Sequence, residues 1–200
     1  FMTDPRFYGW LWEIENEIRA QVPLVYYHVW DNFPAPHFNS RFYSSTDEVV
    51  CISKVTKKIL EEVAPEVPSY YLPHAVDPNY YYKYKKNDKN YPAVAEVAKQ
   101  LSKGKKKLFF FNSRNARRKQ SGTLIWWFKE FLDEVGHDKA MLLMHTDARD
   151  AHGQDLPHII EHLKLTDGQV LLSTNKLNPE ALATLYNVAD YTVSISDAEG

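Results

Sequence analysis

Basic side chains follow one of the apolar segments of this sequence, and their chemistry suits an anionic ligand. Arg114 and Lys119 lie in the loop NSRNARRKQSG, between a predicted strand and a predicted helix. Cationic side chains and the free N–H groups at the start of a helix can bind a diphosphate together. Although simple surface solvation is the alternative, as we expect for Arg117 and Arg118, this position favours phosphate binding at Arg114 and Lys119.

Two further apolar segments end in side chains that could contact a ligand: one in carboxylates, the other in an imidazole. Residues 177–200 contain a predicted helix and a strand that runs into Asp197 and Glu199, and α/β folds deliver carboxylates to a ligand in this way. His28 ends the segment YYHVWD, where prolines and an asparagine break the strand. We therefore expect Glu199 at a ligand site, and His28 either at such a site or as a hydrogen-bonded core histidine.

A metal site is a weaker possibility. His158 and His162 are four residues apart on a predicted helix, a usable spacing for a metal ion, and His145 and His152 precede them. Histidines in a polar loop commonly face solvent, and the chain has neither an H-E-x-x-H nor a D-x-D motif. We expect no metal and no cofactor, and leave open whether these histidines bind a metal.

Composition limits the class of partner. The chain has 200 residues, 44% of them hydrophobic, and a formal net charge of -2. Nucleic acid and anionic membranes require a basic excess, so we expect a small-molecule partner and no nucleic acid. The single cysteine, Cys51, has the context of a buried reduced thiol. This context favours a cytoplasmic protein, and because no apolar run approaches the roughly 18 residues of a transmembrane segment, we expect no such segment.

The elements that must position these groups alternate between strand and helix. Strands are predicted at residues 22–30, 48–52, 69–72, 141–144, 170–173 and 191–196, and another begins at Leu108. Helices are predicted at residues 5–20, after Ser53, before Gly136 and after Asn178. Strand 22–30 is expected to be buried on both faces. This alternation predicts an α/β fold with parallel sheets.

Residues 80–104 differ from the rest in composition, since tyrosines and lysines alternate there before a predicted helix. Aromatic and basic side chains could stack on and neutralise a nucleic acid. The weak net charge of the whole chain and the α/β units on both sides favour a solvated interdomain linker instead.

The segment PEALATLYNVADYTVSISDAEG resembles the donor-binding domain of retaining glycosyltransferases of family 4, also called glycosyl transferases group 1. NSRNARRK, HTDARDAHGQDL, LPHAVD, VCISKVT and YYHVWD resemble other segments of that family in the same order. The resemblance implies a GT-B fold of two Rossmann-like domains with parallel sheets, both incomplete here. Residues 1–79 would end the acceptor-side domain, 80–104 would be the interdomain linker, and 105–200 would begin the nucleotide-sugar-binding domain.

The resemblance also implies roles for particular residues. Arg114 and Lys119 would hold the donor diphosphate, and Thr174 and Asn175 would contact the base and nucleotide. Glu199 matches the first glutamate of the family's E-x7-E motif and would contact the donor sugar, whereas His28 would face the reacting sugar. The expected second glutamate would lie beyond residue 200, and Ser113 replaces a common glycine.

The implied activity is metal-independent transfer of a sugar from a UDP- or GDP-linked donor, with retention of anomeric configuration. The acceptor would be a glycan, a lipid or a small molecule. A non-catalytic α/β module that binds a nucleotide or a sugar is the alternative. A module that has lost its activity, however, has no chemical reason to keep Arg114, Lys119 and Glu199 together.

Overall fold

The structure, a computed structural model, describes residues 1–102 and 106–198. The chain divides into two units, Phe1–Ala75 and Val76–Asp197. Each unit contains a parallel sheet flanked by helices, which confirms the predicted α/β class. The domain boundaries predicted at residues 79 and 104 stay predictions.

The first unit is built on a three-stranded sheet. Its strands are β1 (Val25–His28), β2 (Glu48–Cys51) and β3 (Ser69–Tyr71), in the order β1-β2-β3 and all parallel. Its helices are α1 (Gly9–Glu13), α2 (Glu15–Arg19), α3 (Ser40–Ser44) and α4 (Lys54–Val63). Two short 3-10 helices cover Pro5–Tyr8 and His37–Asn39.

Helix α4 begins where the sequence predicts it. The Ser53 hydroxyl accepts a hydrogen bond from the Thr56 N–H at 3.0 Å and so caps the helix. Ile59 and Leu60 are fully buried in the same apolar cluster as Val49 and Cys51. Burial raises the pKa of the Cys51 thiol to about 11, so this side chain is a protonated core group at neutral pH.

Two predictions for the first unit are wrong. The helix expected at residues 5–20 is a 3-10 helix followed by α1 and α2, because Ile14 leaves the helical conformation at φ -126° and ψ 14°. The strand expected at residues 22–30 is limited to Val25–His28 and is not buried on both faces. Val25 is exposed because alternate residues of a strand point to opposite faces, and only Tyr26 and His28 point to the buried face.

The second unit is built on a four-stranded parallel sheet. Its strands are β4 (Lys107–Asn112), β5 (Ala140–His145), β6 (Val170–Ser173) and β7 (Tyr191–Thr192), in the order β6-β5-β4-β7. Its helices are α5 (Tyr91–Ser102), α6 (Ser121–Val135), α7 (Leu156–His162) and α8 (Pro179–Val188), and Arg117–Lys119 form a 3-10 helix. Within the described residues, no helix combines the length and the apolar character needed to span a membrane.

Helices cover both faces of this sheet. Alternate residues of a strand point to opposite faces, and neighbours Phe110 and Phe111 belong to different apolar clusters. Phe111 packs in one cluster with residues of α6 and α7, whereas Phe110 packs with residues of α5 and α8. Strand β5 begins with the continuous apolar run AMLLM, because both of its faces are buried.

The helix ends of the second unit follow local signals in the sequence. Asn178 accepts a hydrogen bond from the Ala181 N–H at 2.8 Å, and Pro179 occupies the first helical position of α8. Gly136 ends α6 at φ 105°, a conformation that favours glycine. The strand predicted at residues 191–196 is shorter, because only Tyr191 and Thr192 pair with β4 in the sheet register.

Candidate functional site

The carboxyl ends of three neighbouring strands lie level with one another. Asn112 at the end of β4 is in register with His145 of β5, which is in register with Ser173 of β6. The three following loops therefore leave the sheet side by side, where open α/β sheets bind ligands. They enclose a cleft of about 290 Å³. Its lining residues are Asn112, Ser113, Arg114, His145, Thr146, Asp147, Ser173, Thr174, Asn175 and Lys176.

Three of the predicted site residues meet in this cleft. Arg114 enters it from the loop after β4, and Thr174 and Asn175 enter it from the loop after β6. Lys119 is not among the lining residues; it ends the 3-10 helix that precedes α6, and only 8% of it is exposed. Glu199 lies outside the described residues.

Arg114 is held by a carboxylate from the neighbouring loop. Its Nε donates to Oδ2 of Asp150 at 2.6 Å and its Nη2 donates to Oδ1 at 3.1 Å. The same Nη2 lies 3.1 Å from Nδ1 of His152. The Arg114 hydrogen bonds hold the pKa of the Asp150 carboxyl far below its ordinary value, and Asp150 in turn raises the pKa of Arg114. Arg114 is therefore a charged but compensated cation.

Hydrogen bonds join the loop after β4 to the loop after β5. The side chain of Asn115 is buried, and its Nδ2 donates to the Gln154 backbone oxygen at 2.7 Å. In return, the Gln154 backbone N–H donates to Oδ1 of Asn115 at 3.3 Å. The Arg117 N–H adds a bond to the His152 backbone oxygen at 3.1 Å. These contacts hold one wall of the cleft in place.

The start of α6 differs in part from the expected phosphate site. The Gly122 N–H, at the second position of the helix, donates to Oε1 of Gln154 at 2.7 Å. Gln120, the residue before the helix, has the left-handed conformation at φ 57°. One of the N–H groups on which the predicted diphosphate site depends is thus already used within the protein.

The end of the described chain lies against the loop that carries Lys119. The Asp197 N–H donates to the Arg118 backbone oxygen at 2.9 Å. The Gln120 side chain donates to both carboxylate oxygens of Asp197, at 3.0 Å each. Residue 197, two positions before the predicted Glu199, is therefore next to residues 118–120.

His28 is a fully buried side chain of the first unit, at the end of β1. Its Nε2 lies 2.9 Å from the Tyr43 hydroxyl, whereas its Nδ1 is buried without a hydrogen-bond partner in the described part of the chain. Burial lowers the pKa of His28 to about 4, so the imidazole is neutral at pH 7. This geometry is that of a core histidine, and a role at the reacting sugar stays a prediction.

The other histidines make separate contacts. Nδ1 of His145 lies 2.9 Å from the Ser173 hydroxyl, and His152 lies beside Asp150. The rings of His158 and His162 stack with centroids 6.4 Å apart on α7. Among residues 1–102 and 106–198, no group of three or more His, Cys, Asp or Glu side chains is arranged to hold a metal ion.

Among the cleft residues that were not predicted as site residues are Thr146, Asp147 and Lys176. Thr146 is buried, and its hydroxyl has no hydrogen-bond partner among the described residues. Their positions in the sequence could have identified them, because Thr146 and Asp147 directly follow β5 and Lys176 is the third residue after β6. Residues at these positions of parallel strands are candidates for ligand contact.

The second unit also contains a larger cavity, of about 760 Å³. Its lining is formed mainly by apolar side chains and by Tyr81, Tyr82 and Tyr186. None of the predicted site residues that the structure describes lines this cavity. The smaller cleft at the carboxyl edge of the sheet is the better candidate site, since polar and charged groups from three loops converge there.

The fold is that of the GT-B glycosyltransferases. An α,α-trehalose 6-phosphate synthase from Burkholderia multivorans superposes with a TM-score of 0.66 at 13% identity, over 92% of this chain and 48% of that one. A glycosyltransferase from Rickettsia africae gives a TM-score of 0.63 at 15% identity, over 92% of this chain and 54% of that one. The pneumococcal O-GlcNAc transferase GtfA, in complex with UDP and GlcNAc, gives a TM-score of 0.64 at 13% identity, over 93% of this chain and 35% of that one.

The chain thus spans about half the length of the first two of these structures and about a third of the third. At such low identity the likeness shows the fold alone. No protein-family model matches the sequence, and no curated protein sequence matches it.

Proposed function

We propose that this chain belongs to a glycosyltransferase that moves a sugar from a UDP- or GDP-linked donor to a glycan, lipid or small-molecule acceptor. The proposal includes retention of the anomeric configuration and independence from metal ions and cofactors. The observation that carries it is the meeting of Arg114, Thr174 and Asn175 in one cleft. These residues come from loops far apart in the sequence, and the GT-B fold of the known structures supports the same site.

The chemical task of such a site is to bind a nucleoside diphosphate and to stabilise its charge as the sugar leaves. Arg114 and Lys119 hold the diphosphate, and Thr174 and Asn175 contact the base and the nucleotide. Glu199 contacts the donor sugar, and His28 acts on the acceptor side, near the reacting carbon. GtfA, a neighbour by fold, is recorded in complex with UDP, which supports UDP as the first nucleotide to test.

Nucleotide release provides the test. The protein is incubated with a panel of UDP- and GDP-linked sugars, with and without a chelator, and free UDP or GDP is measured over time. We expect release from at least one donor, unchanged by the chelator. Proton NMR of the product then reports whether the anomeric configuration is retained.

The alternative is a non-catalytic module that binds a nucleotide or a sugar. It predicts that UDP or GDP binds, as measured by calorimetry, while no donor is consumed. Release that occurs only after a divalent metal is added would contradict the metal independence of the proposal, since the diphosphate would then need an ion, but not the transferase activity.

A further inference from the structure

The cleft contains more than one cation, and they differ in how far their charge is already compensated. Arg114 donates to both carboxylate oxygens of Asp150, and the carboxylate of Asp147 also raises the pKa of Arg114. A guanidinium with two carboxylates nearby contributes little net positive charge to an incoming anion. Arg114 can still donate hydrogen bonds, and Lys119 is not among the residues that line the cleft, so another group must supply the charge there.

The start of α6 is also partly occupied. Its Gly122 N–H already donates to Oε1 of Gln154. An anion at this helix end would therefore have to compete with a side chain that the structure holds there, or bind through fewer N–H groups.

Lys176 is in a different situation. It lines the cleft from the loop after β6, its side chain is exposed, and no carboxylate among the described residues forms an ion pair with it. Thr146, from the adjacent loop after β5, brings a buried hydroxyl with no partner within the described residues. An exposed ammonium group and an unused hydroxyl in one cleft together suit a phosphate group, which accepts hydrogen bonds from both.

We propose that Lys176 supplies the uncompensated positive charge of this cleft and binds the phosphate groups of its ligand, with the Thr146 hydroxyl as a further donor. The inference rests on the proposed function, because it concerns the same cleft and the same diphosphate. Asp147 also lines the cleft, where its carboxylate repels a bound anion; its Oδ1 accepts a hydrogen bond from the Arg149 N–H. Lys176 and Asp147 thus act in opposite directions on the affinity for anions.

Calorimetric titration with inorganic pyrophosphate, UDP and uridine tests this assignment. We expect Lys176→Met to weaken pyrophosphate and UDP about ten- to a hundredfold, the range of a charged hydrogen bond, and to leave uridine unchanged. Asp147→Asn keeps the oxygen that accepts from Arg149 but removes the charge, so both anions should bind more tightly. Lys99→Met, at an exposed position of α5, is the matched control and should change nothing.

The outcomes separate this inference from the proposed function. If Lys176→Met and Lys99→Met bind pyrophosphate as well as the unchanged protein does, the assignment of Lys176 is wrong, even when donor turnover continues. If pyrophosphate binding depends on Lys176 and no nucleotide sugar is consumed, the assignment stands and the transferase proposal fails. A protein that binds neither pyrophosphate nor UDP contradicts both.

Discussion

Burial determines what His28 can do at neutral pH. Its folded-state pKa of about 4 lies below the ordinary value of 6.5. Between these two pH values the unfolded chain takes up a proton that the folded chain excludes, so the free energy of unfolding falls as the pH is lowered from 6.5 to 4. The full loss is about 3 kcal/mol. Urea unfolding across this pH range measures it.

His28→Gln removes the titrating group and should flatten this part of the stability profile. Equal slopes for the unchanged protein and His28→Gln would mean that His28 titrates normally and is more accessible than its burial indicates.

Lys119 combines two roles that a mutation must separate. It is mostly buried at the end of a 3-10 helix, and it is proposed to bind the donor diphosphate. We expect Lys119→Ala to lower kcat/KM for the donor by the equivalent of about 2 kcal/mol. The exposed Arg117 gives the control variant Arg117→Ala. Unchanged kinetics with a lowered Tm would make Lys119 a structural residue only.

Among the elements of the second unit, the two loops after β4 and β5 are packed too closely for an added methyl group. A Cβ at Gly153 would lie 2.0 Å from the Asn115 backbone oxygen, which cannot move without shifting the loop. We expect Gly153→Ala to lower the free energy of unfolding by about 1–3 kcal/mol and to weaken UDP binding. Thermal unfolding and calorimetry measure the two effects.

Gly9→Ala is the matched control, because a Cβ at Gly9 meets nothing within 4 Å and Gly9 lies in helix α1. This substitution should leave stability unchanged or raise it slightly. A Gly153→Ala protein with normal stability and normal UDP affinity would show that the loops after β4 and β5 adjust independently of each other.

Elements were predictable from the sequence where local signals define them. Asn178 and Pro179 predict the start of α8, Gly136 predicts the end of α6, and the apolar run of β5 indicates a strand covered on both faces. Ile14 gave no such signal, because its apolar spacing suits a helix while its backbone departs from one. Periodicity reports which residues can share a face, but not where the backbone leaves the helical conformation.

Contacts between loops were not predictable, and they shape the site. Asn115 and Gln154 are 39 residues apart, and Arg114 and Asp150 are 36 apart. Neither pair belongs to a periodic pattern, so the sequence predicted a phosphate-binding arginine without its compensating carboxylate. Thr174 and Asn175 were named through the family resemblance, and their position after a strand agrees with it, because strand ends are aligned by the register of a parallel sheet.

At the scale of the whole molecule, each unit has an apolar core of its own. Tyr26, Val49 and Ile59 belong to the core of the first unit, and Phe111 and Leu142 to one core of the second. Residues 70–79, where the division falls, are all exposed. Because each unit has a core of its own, we expect the two units to unfold in separate transitions.

Ligand binding should then stabilise one transition and leave the other unchanged. The cleft residues Arg114, Thr174 and Asn175 all belong to the second unit, and UDP at a hundred times its dissociation constant stabilises a folded unit by about 2.7 kcal/mol. Differential scanning calorimetry of the full chain, with and without UDP, should show the shift in the transition that Gly153→Ala lowers. A single transition that UDP shifts as a whole would mean that the two units unfold together. If UDP instead raises the transition that His28→Gln changes, the nucleotide site lies in the first unit.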